Sequence, residues 1–451
     1  MKGSSASGRQ LALVVLNRVL EGGAFADIAL TQALSHSSLP RLERSLATEL
    51  VYGCLRRLNT LDFVLQARLS RHLADLPPSI RNVLRLGAYQ LLFMRVPAYA
   101  GVNECVELAK RMGHRGTAAL VNGVLRRLAR EAGSIHLLWD QQDDPIRRLS
   151  LETSVPEWVC KLWTDYLGHE AGRQLCCAIS ERPPLNVRAN TLKTERGSLK
   201  RALESEGIRC VECSMAPEGL TVEEDGEVCS TSAFQQGLFY VQDEASMLVS
   251  HAVRPEPGTT VVDLCAGPGG KTTHMAALMG NEGRLIAFEI NKGRLDMVVE
   301  LCKRLGVGIC EPHLGDARNL AQQFRATAHS VLVDAPCSGL GVLRRRVDLK
   351  WRMSPDRIEG LVQLQRQLLV AGAECVRPGG ALVYSTCTVN PAENEGMVDW
   401  FLKLDNRFVL EDLSQVLDWL PESAFFRGFL RLLPSVHGTD GFFVARMVRR
   451  G

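Results

Sequence analysis

The chain has 451 residues, and its 46% hydrophobic and 23% charged residues predict two or three globular domains, each with its own core. Fourteen cysteines without regular spacing exclude a disulfide framework, and no apolar run has the length of a signal peptide or a membrane helix, so we expect a cytoplasmic protein. The net charge is only +3, yet residues 1–130 hold 18 Lys and Arg against 8 Asp and Glu, a net +10, and the remainder is net −7.

The basic N-terminal region has apolar residues at helical spacing from residue 9 to about 132, with breaks at Gly22-Gly23 and Pro77-Pro78. This pattern predicts an all-α domain over residues 1–133, without catalytic residues. The last two predicted helices, about 101–113 and 116–131, carry five arginines. Such a charge favours docking to nucleic acid, although a solvated helical surface is the alternative.

The helical periodicity fades over residues 134–155, which predicts a linker with one short helix. Residues 156–238 mix helical and strand-like patterns and predict a small α/β module. From 239 to 451, short apolar strands alternate with helices, which is typical of a doubly wound, Rossmann-like sheet. Cys210 and Cys213 form one C-x-x-C pair, and without a second pair at metal-like spacing we expect no metal site.

A glycine-rich loop, CAGPGGKTTH, follows the first strand of the predicted sheet. Cys265 stands where a Walker phosphate-binding loop needs glycine, and Thr272 stands where a dinucleotide-binding turn needs it. Glu289 after the second strand suits a ribose, and Asp316 near the third suits the exocyclic amine of an adenine. A nucleoside without phosphates fits this set, and S-adenosylmethionine is the commonest such ligand.

The stretch 331–351, VLVDAPCSGLGVLRRRVDLKW, begins as a buried strand and continues into a loop with a carboxylate and a thiol, Asp334 and Cys337. A second thiol, Cys387, follows a later strand. Because neighbouring parallel strands end at the same edge of a sheet, we expect the two thiols to lie close together. A thiolate there could act as a nucleophile, and two structural cysteines are the alternative.

Several of these segments together resemble the RNA cytosine-5 methyltransferases. They are DLCAGPGGKT (263–272), VDAPCSGLGVLRR (333–345), YSTCTVNPAENE (384–395) and YVQDEAS (240–246), with PLNVRANTLK (184–193) and DGFFVARM (440–447) at the ends. The helical domain is similar to the NusB-type RNA-binding domain. This domain order is similar to family members that modify small-subunit ribosomal RNA, which is therefore the expected partner, with the protein acting as a monomer.

The resemblance also implies residue roles. S-adenosylmethionine would be bound by Cys265, Ala266, Gly267, Pro268, Gly269, Gly270, Lys271, Glu289, Asp316 and Asp334. Cys387 would be the nucleophile and Cys337 would assist product release, with Asp334 and Lys271 as the other catalytic residues. RNA contacts would come from the basic end of the 331–351 stretch and from one arginine of the preceding motif: Arg344, Arg345, Arg346, Lys350, Trp351 and Arg188.

Two positions depart from the family pattern, and three alternatives stay open. Glu289 stands where the family usually has Asp, and Arg346-Val347 replaces a frequent His-Pro. A transfer RNA could be the substrate instead, or the chain could be an inactive assembly factor. A DNA cytosine methyltransferase would use the cysteine after proline, here Cys337, as its nucleophile. Cys387 and the NusB-like domain favour RNA.

Overall fold

The structure is a computed structural model that describes residues 7–135, 137–223 and 227–451. These residues form two compact units. The first contains the chain up to Glu181 together with residues 343–352, and the second contains residues 182–342 and 353–451. No helix in the described part of the chain is long and apolar enough to cross a membrane. The division into two units falls at residues 181 and 182 and does not test the domain boundaries predicted at 133, 155 and 238, which stay predictions.

Eleven α-helices make up the described part of the first unit. They are α1 (Gly8–Leu20), α2 (Ala26–Ser35), α3 (Arg41–Arg56), α4 (Leu58–Gln66), α5 (Pro78–Phe93), α6 (Ala98–Met112), α7 (Arg115–Glu131), α8 (Leu137–Asp140), α9 (Pro145–Thr153), α10 (Glu157–Leu167) and α11 (His169–Ile179). The region predicted as a linker with one short helix thus contains two, α8 and α9. Asp144 caps α9 by accepting from the backbone N–H of Ile146, with Pro145 at the first helical position.

The core of this unit is formed by the apolar faces of α1, α3, α5 and α7, which meet through fully buried leucines such as Leu16, Leu50, Leu84 and Leu125. Gly53 lets α3 approach α5 closely, because a Cβ at this position would lie 2.0 Å from the ring of Tyr89. The predicted all-α region is confirmed.

The second unit begins with a small antiparallel sheet. Its strands are β1 (Leu185–Ala189), β2 (Cys210–Glu212), β3 (Gly219–Val222) and β4 (Phe239–Val241), in the order β2-β3-β1-β4, with helices α12 (Arg196–Ser205) and α13 (Ser232–Gln235). Val187, Leu199 and Phe239 are fully buried between the sheet and its helices. This sheet is the strand-containing part of the small α/β module predicted over residues 156–238, whereas the first helices of that range, α10 and α11, lie in the first unit.

The main sheet has nine strands: β5 (Thr260–Asp263), β6 (Arg284–Glu289), β7 (Cys310–Leu314), β8 (Ala328–Asp334), β9 (Val376–Thr386), β10 (Phe408–Glu411), β11 (Phe425–Phe426), β12 (Phe429–Leu432) and β13 (Phe442–Arg449). Its helices are α14 (Glu244–Val253), α15 (Gly270–Leu278), α16 (Lys292–Leu305), α17 (Ala317–Leu320), α18 (Pro355–Cys375), α19 (Glu395–Leu404), α20 (Leu413–Val416) and α21 (Pro434–His437).

The strand order explains where a ligand can bind. Five strands run parallel in the order β7-β6-β5-β8-β9, and β13 adds antiparallel to β9. The order reverses direction between β5 and β8, and ligands of such sheets bind beyond the carboxyl ends of the strands at this switch point. The doubly wound α/β class is confirmed, and so is a final strand at residues 441–448, which is β13; its antiparallel pairing with β9 was not predicted from the sequence pattern.

Candidate active site

Two thiols lie together beyond the ends of β8 and β9. These strands pair in parallel with Asp334 opposite Ser385, so Cys337 and Cys387 both follow the same edge. Their sulfur atoms are 3.4 Å apart, and both residues are half-buried. The hydrogen bond to Cys387 and burial raise the pKa of Cys337 well above its usual value. Cys337 is therefore a thiol near neutral pH, and it is suited to donate its S–H to the sulfur of Cys387.

An ion pair stands beside the two thiols. Lys271, in the first turn of α15, places its Nζ 2.6 Å from Oδ2 of Asp334, and the Ser385 hydroxyl donates to Oδ1 at 2.8 Å. Burial acts to lower the pKa of Lys271, but the charge and hydrogen bond of Asp334, with a contribution from Cys387, outweigh it and raise that pKa. The Lys271 ammonium is thus kept protonated at the edge of the sheet, and a cation beside a thiol stabilises its thiolate.

The glycine-rich loop between β5 and α15 is held from both ends. At the far side, Glu289 accepts from the backbone N–H groups of Gly267 at 3.2 Å and Asn291 at 2.9 Å. At the near side, Asp263 accepts from the Thr272 hydroxyl at 2.7 Å, and burial raises the pKa of Asp263 to about 6. The loop is therefore an ordered turn lined by backbone.

Two positions in this loop require glycine. A Cβ at Gly267 would lie 2.2 Å from Oε2 of Glu289, and Gly269 has φ +106°, a conformation that favours glycine. The narrow, backbone-lined turn with a buried carboxylate at the end of β6 fits the nucleoside part of S-adenosylmethionine.

Asp316 follows β7 and is held by a residue that the sequence analysis did not select. The guanidinium of Arg318 donates to Oδ1 at 2.9 Å and to Oδ2 at 2.5 Å, and the backbone N–H of Arg318 donates to Oδ1 at 3.0 Å. An adenine amine would have to share this carboxylate with Arg318. A basic residue two positions after the acid, at the start of a helix, was the available signal.

Three family models match successive parts of the chain. The NusB family matches residues 6–130, the ferredoxin-like domain of RsmF/B-like methyltransferases matches 155–229, and "16S rRNA methyltransferase RsmB/F" matches 250–448. The probable ribosomal RNA small subunit methyltransferase B of Bacillus subtilis is 37% identical over 450 residues, which is 99% of each chain. The chain belongs to the RsmB/F methyltransferase family.

Solved structures agree with this membership. The crystal structure of PH0851 is similar with a TM-score of 0.81 and 28% identity over 99% of this chain and 100% of that one. NSun6 from Pyrococcus horikoshii, solved with the S-adenosylmethionine analogue SFG, is similar with a TM-score of 0.58 and 25% identity over 66% of this chain and 98% of that one. As a member of the RsmB/F family, the chain is an RNA methyltransferase that uses an S-adenosylmethionine-type methyl donor.

The basic end of the 331–351 stretch is largely packed into the first unit of this RsmB/F methyltransferase. Lys350 is 1% exposed, and its ammonium donates to the main-chain oxygens of Arg56 at 2.7 Å and Ser154 at 2.8 Å, where α3 and α9 end. The Trp351 indole donates to the oxygen of Leu55 at 2.8 Å. Lys350 therefore caps two helix C-termini, where the helix dipoles favour a cation, while burial and the nearby charges of Arg57 and Arg56 lower its pKa well below the usual lysine value.

The other predicted RNA-binding arginines differ in exposure. Arg346 is exposed, Arg345 is half-buried and Arg344 is buried. Arg188 is 1% exposed and donates to Gln242, to the Gly270 oxygen and to the Thr273 hydroxyl, so it ties β1 to the start of α15. RNA binding by all of these residues stays a prediction, but the packing gives Lys350 and Arg188 structural roles that composition alone did not indicate.

Lys350→Met is expected to destabilise the protein, because the change leaves two buried carbonyl oxygens without their donor. We expect the free energy of unfolding to fall by about 2 kcal/mol. Thermal unfolding measures this loss, and Arg346→Ala is the matched control that should leave the midpoint unchanged. A stable Lys350→Met protein with weakened RNA binding would instead assign Lys350 to the RNA surface.

One group among the described residues has metal-ligating side chains at short range. Donor atoms of Glu218, His251 and His274 all lie within 4.8 Å of one another. Nε2 of His251 is 3.0 Å and Nε2 of His274 is 2.8 Å from the Glu218 carboxylate, so both imidazole rings contact the same carboxylate. Burial and the nearby charge of Arg188 lower the pKa of His274 to about 3.

Proposed function

We propose that this protein transfers a methyl group from S-adenosylmethionine to carbon-5 of a cytosine in small-subunit ribosomal RNA, through a covalent bond between Cys387 and carbon-6. The observation that carries the proposal is the pair of sulfur atoms 3.4 Å apart beside the Lys271–Asp334 ion pair. Structural cysteines need no such neighbours, whereas nucleophilic thiols occur in electropositive, partly exposed surroundings.

The chemistry explains why a thiol is required. Carbon-5 of cytosine is too weakly nucleophilic to take a methyl group directly. When the Cys387 thiolate adds to carbon-6, the ring becomes an enamine whose carbon-5 is nucleophilic. This addition is favoured by a proton or strong hydrogen bond at N3. The Lys271 ammonium donates a hydrogen bond to Asp334 across 2.6 Å, so this pair is our candidate donor to N3.

The second thiol serves the release of product. After transfer, carbon-5 carries both the methyl group and its original hydrogen. A base removes that proton, the C–H electrons restore the double bond between carbons 5 and 6, and the bond from carbon-6 to Cys387 breaks to return a thiolate. Cys337, whose sulfur lies 3.4 Å from that of Cys387, is the base that we propose.

S-adenosylmethionine supplies the electrophilic methyl group when bound. The residues that would hold it are those of the loop Cys265–Lys271, with Glu289, Asp316 and Asp334. Glu289 and Asp316 already accept hydrogen bonds within the chain, so they offer oriented carboxylates to a ribose and to an adenine amine. Their loops fix these orientations before any ligand binds.

The RNA substrate class rests on the relatives rather than on individual contacts. The Bacillus subtilis protein is named as a small-subunit ribosomal RNA methyltransferase. The N-terminal region of this chain, which matches the NusB family, contains its excess of basic residues. The target base must leave its stack to reach two half-buried thiols, which favours single-stranded or loop RNA. Transfer RNA remains the alternative substrate.

The direct test supplies labelled S-adenosylmethionine with unmodified small-subunit ribosomal RNA, transfer RNA and DNA in parallel, followed by chromatography of the nucleosides. We expect label in 5-methylcytidine from ribosomal RNA only. Label from transfer RNA would keep the mechanism and replace the substrate. The absence of label from every substrate, with intact binding of S-adenosylmethionine, would favour an inactive assembly factor.

A further inference from the structure

A buried carboxylate lies directly behind the turn that carries Cys337. Glu393, between β9 and α19, is fully buried at 0% exposure. Its Oε1 accepts from the backbone N–H of Ser338 at 2.8 Å and from the Gln365 amide at 3.0 Å. Its Oε2 accepts from the Ser338 hydroxyl at 2.5 Å and from the Asn390 amide at 2.9 Å. Buried glutamates are rare, so this one requires an explanation.

The donors around Glu393 satisfy both of its carboxylate oxygens. Three of the four are N–H groups that can only donate, and together the four fill the acceptor positions of a carboxylate. All four of these donors are neutral groups. The position of Glu393 within the fold is fixed as well, because the Tyr384 hydroxyl donates to its main-chain oxygen at 2.7 Å.

This carboxylate acts on Cys337 in two ways. Ser338 is the next residue in the chain, so its two hydrogen bonds to Glu393 fix the turn that carries the thiol. The negative charge of Glu393 also contributes to the raised pKa of Cys337, after the hydrogen bond to Cys387, burial and the charge of Cys387. The Cys387 loop is tied to the same turn, since the Gly341 N–H donates to the Cys387 oxygen at 3.0 Å.

We propose that Glu393 is a positioning residue that gives the two cysteines different roles. Its buried charge keeps Cys337 protonated while Cys387 attacks, and makes Cys337 a strong base once the thiol proton has passed to solvent water, which reaches this half-buried side chain. The inference rests on the proposed function, because it concerns the release step. In that step the proton of carbon-5 passes to the Cys337 thiolate, the C–H electrons form the ring double bond, and the Cys387 sulfur leaves with the electrons of its bond to carbon-6.

Glu393→Gln tests this role, because it keeps the shape of the side chain and removes the charge. The measured quantity is the rate at which methylated RNA is released from the protein in a single turnover. Denaturing gels separate labelled RNA that is still linked to the protein from labelled RNA that is free. The release rate should rise with pH as Cys337 loses its proton. With the charge of Glu393 removed, the midpoint of this rise is expected to move down by about one pH unit. The high-pH plateau is expected to fall about threefold, because a less basic thiolate is a weaker proton acceptor.

Two further variants separate the charge from the packing. Ser338→Ala removes the hydroxyl that donates to Oε2 of Glu393 but keeps the charge, so it should move the midpoint upward, in the direction opposite to Glu393→Gln. Gln365→Met removes one donor from the carboxylate, leaves its charge less compensated and should move the midpoint upward. This variant also provides the test if Glu393→Gln does not fold.

The outcomes separate the inference from the function on which it rests. If the wild-type protein forms no 5-methylcytidine, the proposed function is wrong. If it does, and the profiles of Glu393→Gln and Gln365→Met superimpose on that of the wild type after scaling, Glu393 has only a structural role and the inference is overturned.

Discussion

Replacing Cys387 with alanine is expected to abolish methyl transfer, with a loss of about a thousandfold or more in the rate of 5-methylcytidine formation. The reason is chemical: without the thiolate no bond forms at carbon-6, and carbon-5 is not activated. Binding of S-adenosylmethionine should persist, because the loop that would hold it, Cys265–Lys271, belongs to a different strand end. Cys229→Ala, at an exposed cysteine of the same unit, is the matched control.

The partner variant, Cys337→Ala, should behave in the opposite way on a denaturing gel. It retains the nucleophile but lacks the base, so a covalent protein–RNA adduct should accumulate, whereas Cys387→Ala should form none. The reverse pattern would give the nucleophilic role to Cys337, as in the DNA-methyltransferase alternative.

Lys271→Met is expected to lower kcat by about a hundredfold. The change leaves Asp334 without its partner at 2.6 Å and removes the cation beside the two thiols. Lys292→Met is the matched control, because Lys292 forms an exposed ion pair with Asp296 in the same unit. A Lys271→Met protein with kcat near that of the wild type would show that the ion pair has no part in the chemistry.

The pH dependence of the wild type gives an independent test of the same pair. Because the pKa of Lys271 is raised, its ammonium stays protonated below the ordinary lysine range and is lost only above it. Any stability or activity that depends on the Lys271–Asp334 ion pair should therefore be fully present near neutral pH and decline only above about pH 10.5. The prediction is wrong if the stability or activity of the wild type declines near pH 8 while that of Lys271→Met does not.

The sequence was sufficient to predict the edge of the sheet at which the site lies. Short apolar runs ending in Asp334 and in Thr386-Cys387 predicted two buried strands, and the parallel register brings their ends together. The extension beyond β9 was harder to predict, because β11 and β12 have only two and four residues. Periodicity in such short segments carries little information.

Burial by distant partners was the other feature that the sequence did not predict. Lys350 and Trp351 were predicted to contact RNA because they are basic and aromatic, yet their partners Arg56 and Leu55 lie almost 300 residues earlier. Glu393 stood within a recognised motif but was not singled out, because a charged residue in a loop is usually exposed. Neither position can be distinguished from a surface residue without the tertiary contacts.

The central claim is that Cys387 bonds to carbon-6, and peptide mapping of a trapped complex tests it most directly. RNA containing 5-fluorocytidine should halt the wild-type protein after methyl transfer, because carbon-5 then carries no hydrogen for a base to remove. Digestion with trypsin and mass spectrometry would identify the attached peptide. We predict the modified nucleotide on Cys387, in peptide 367–403; its presence on Cys337, in peptide 326–344, would contradict the account.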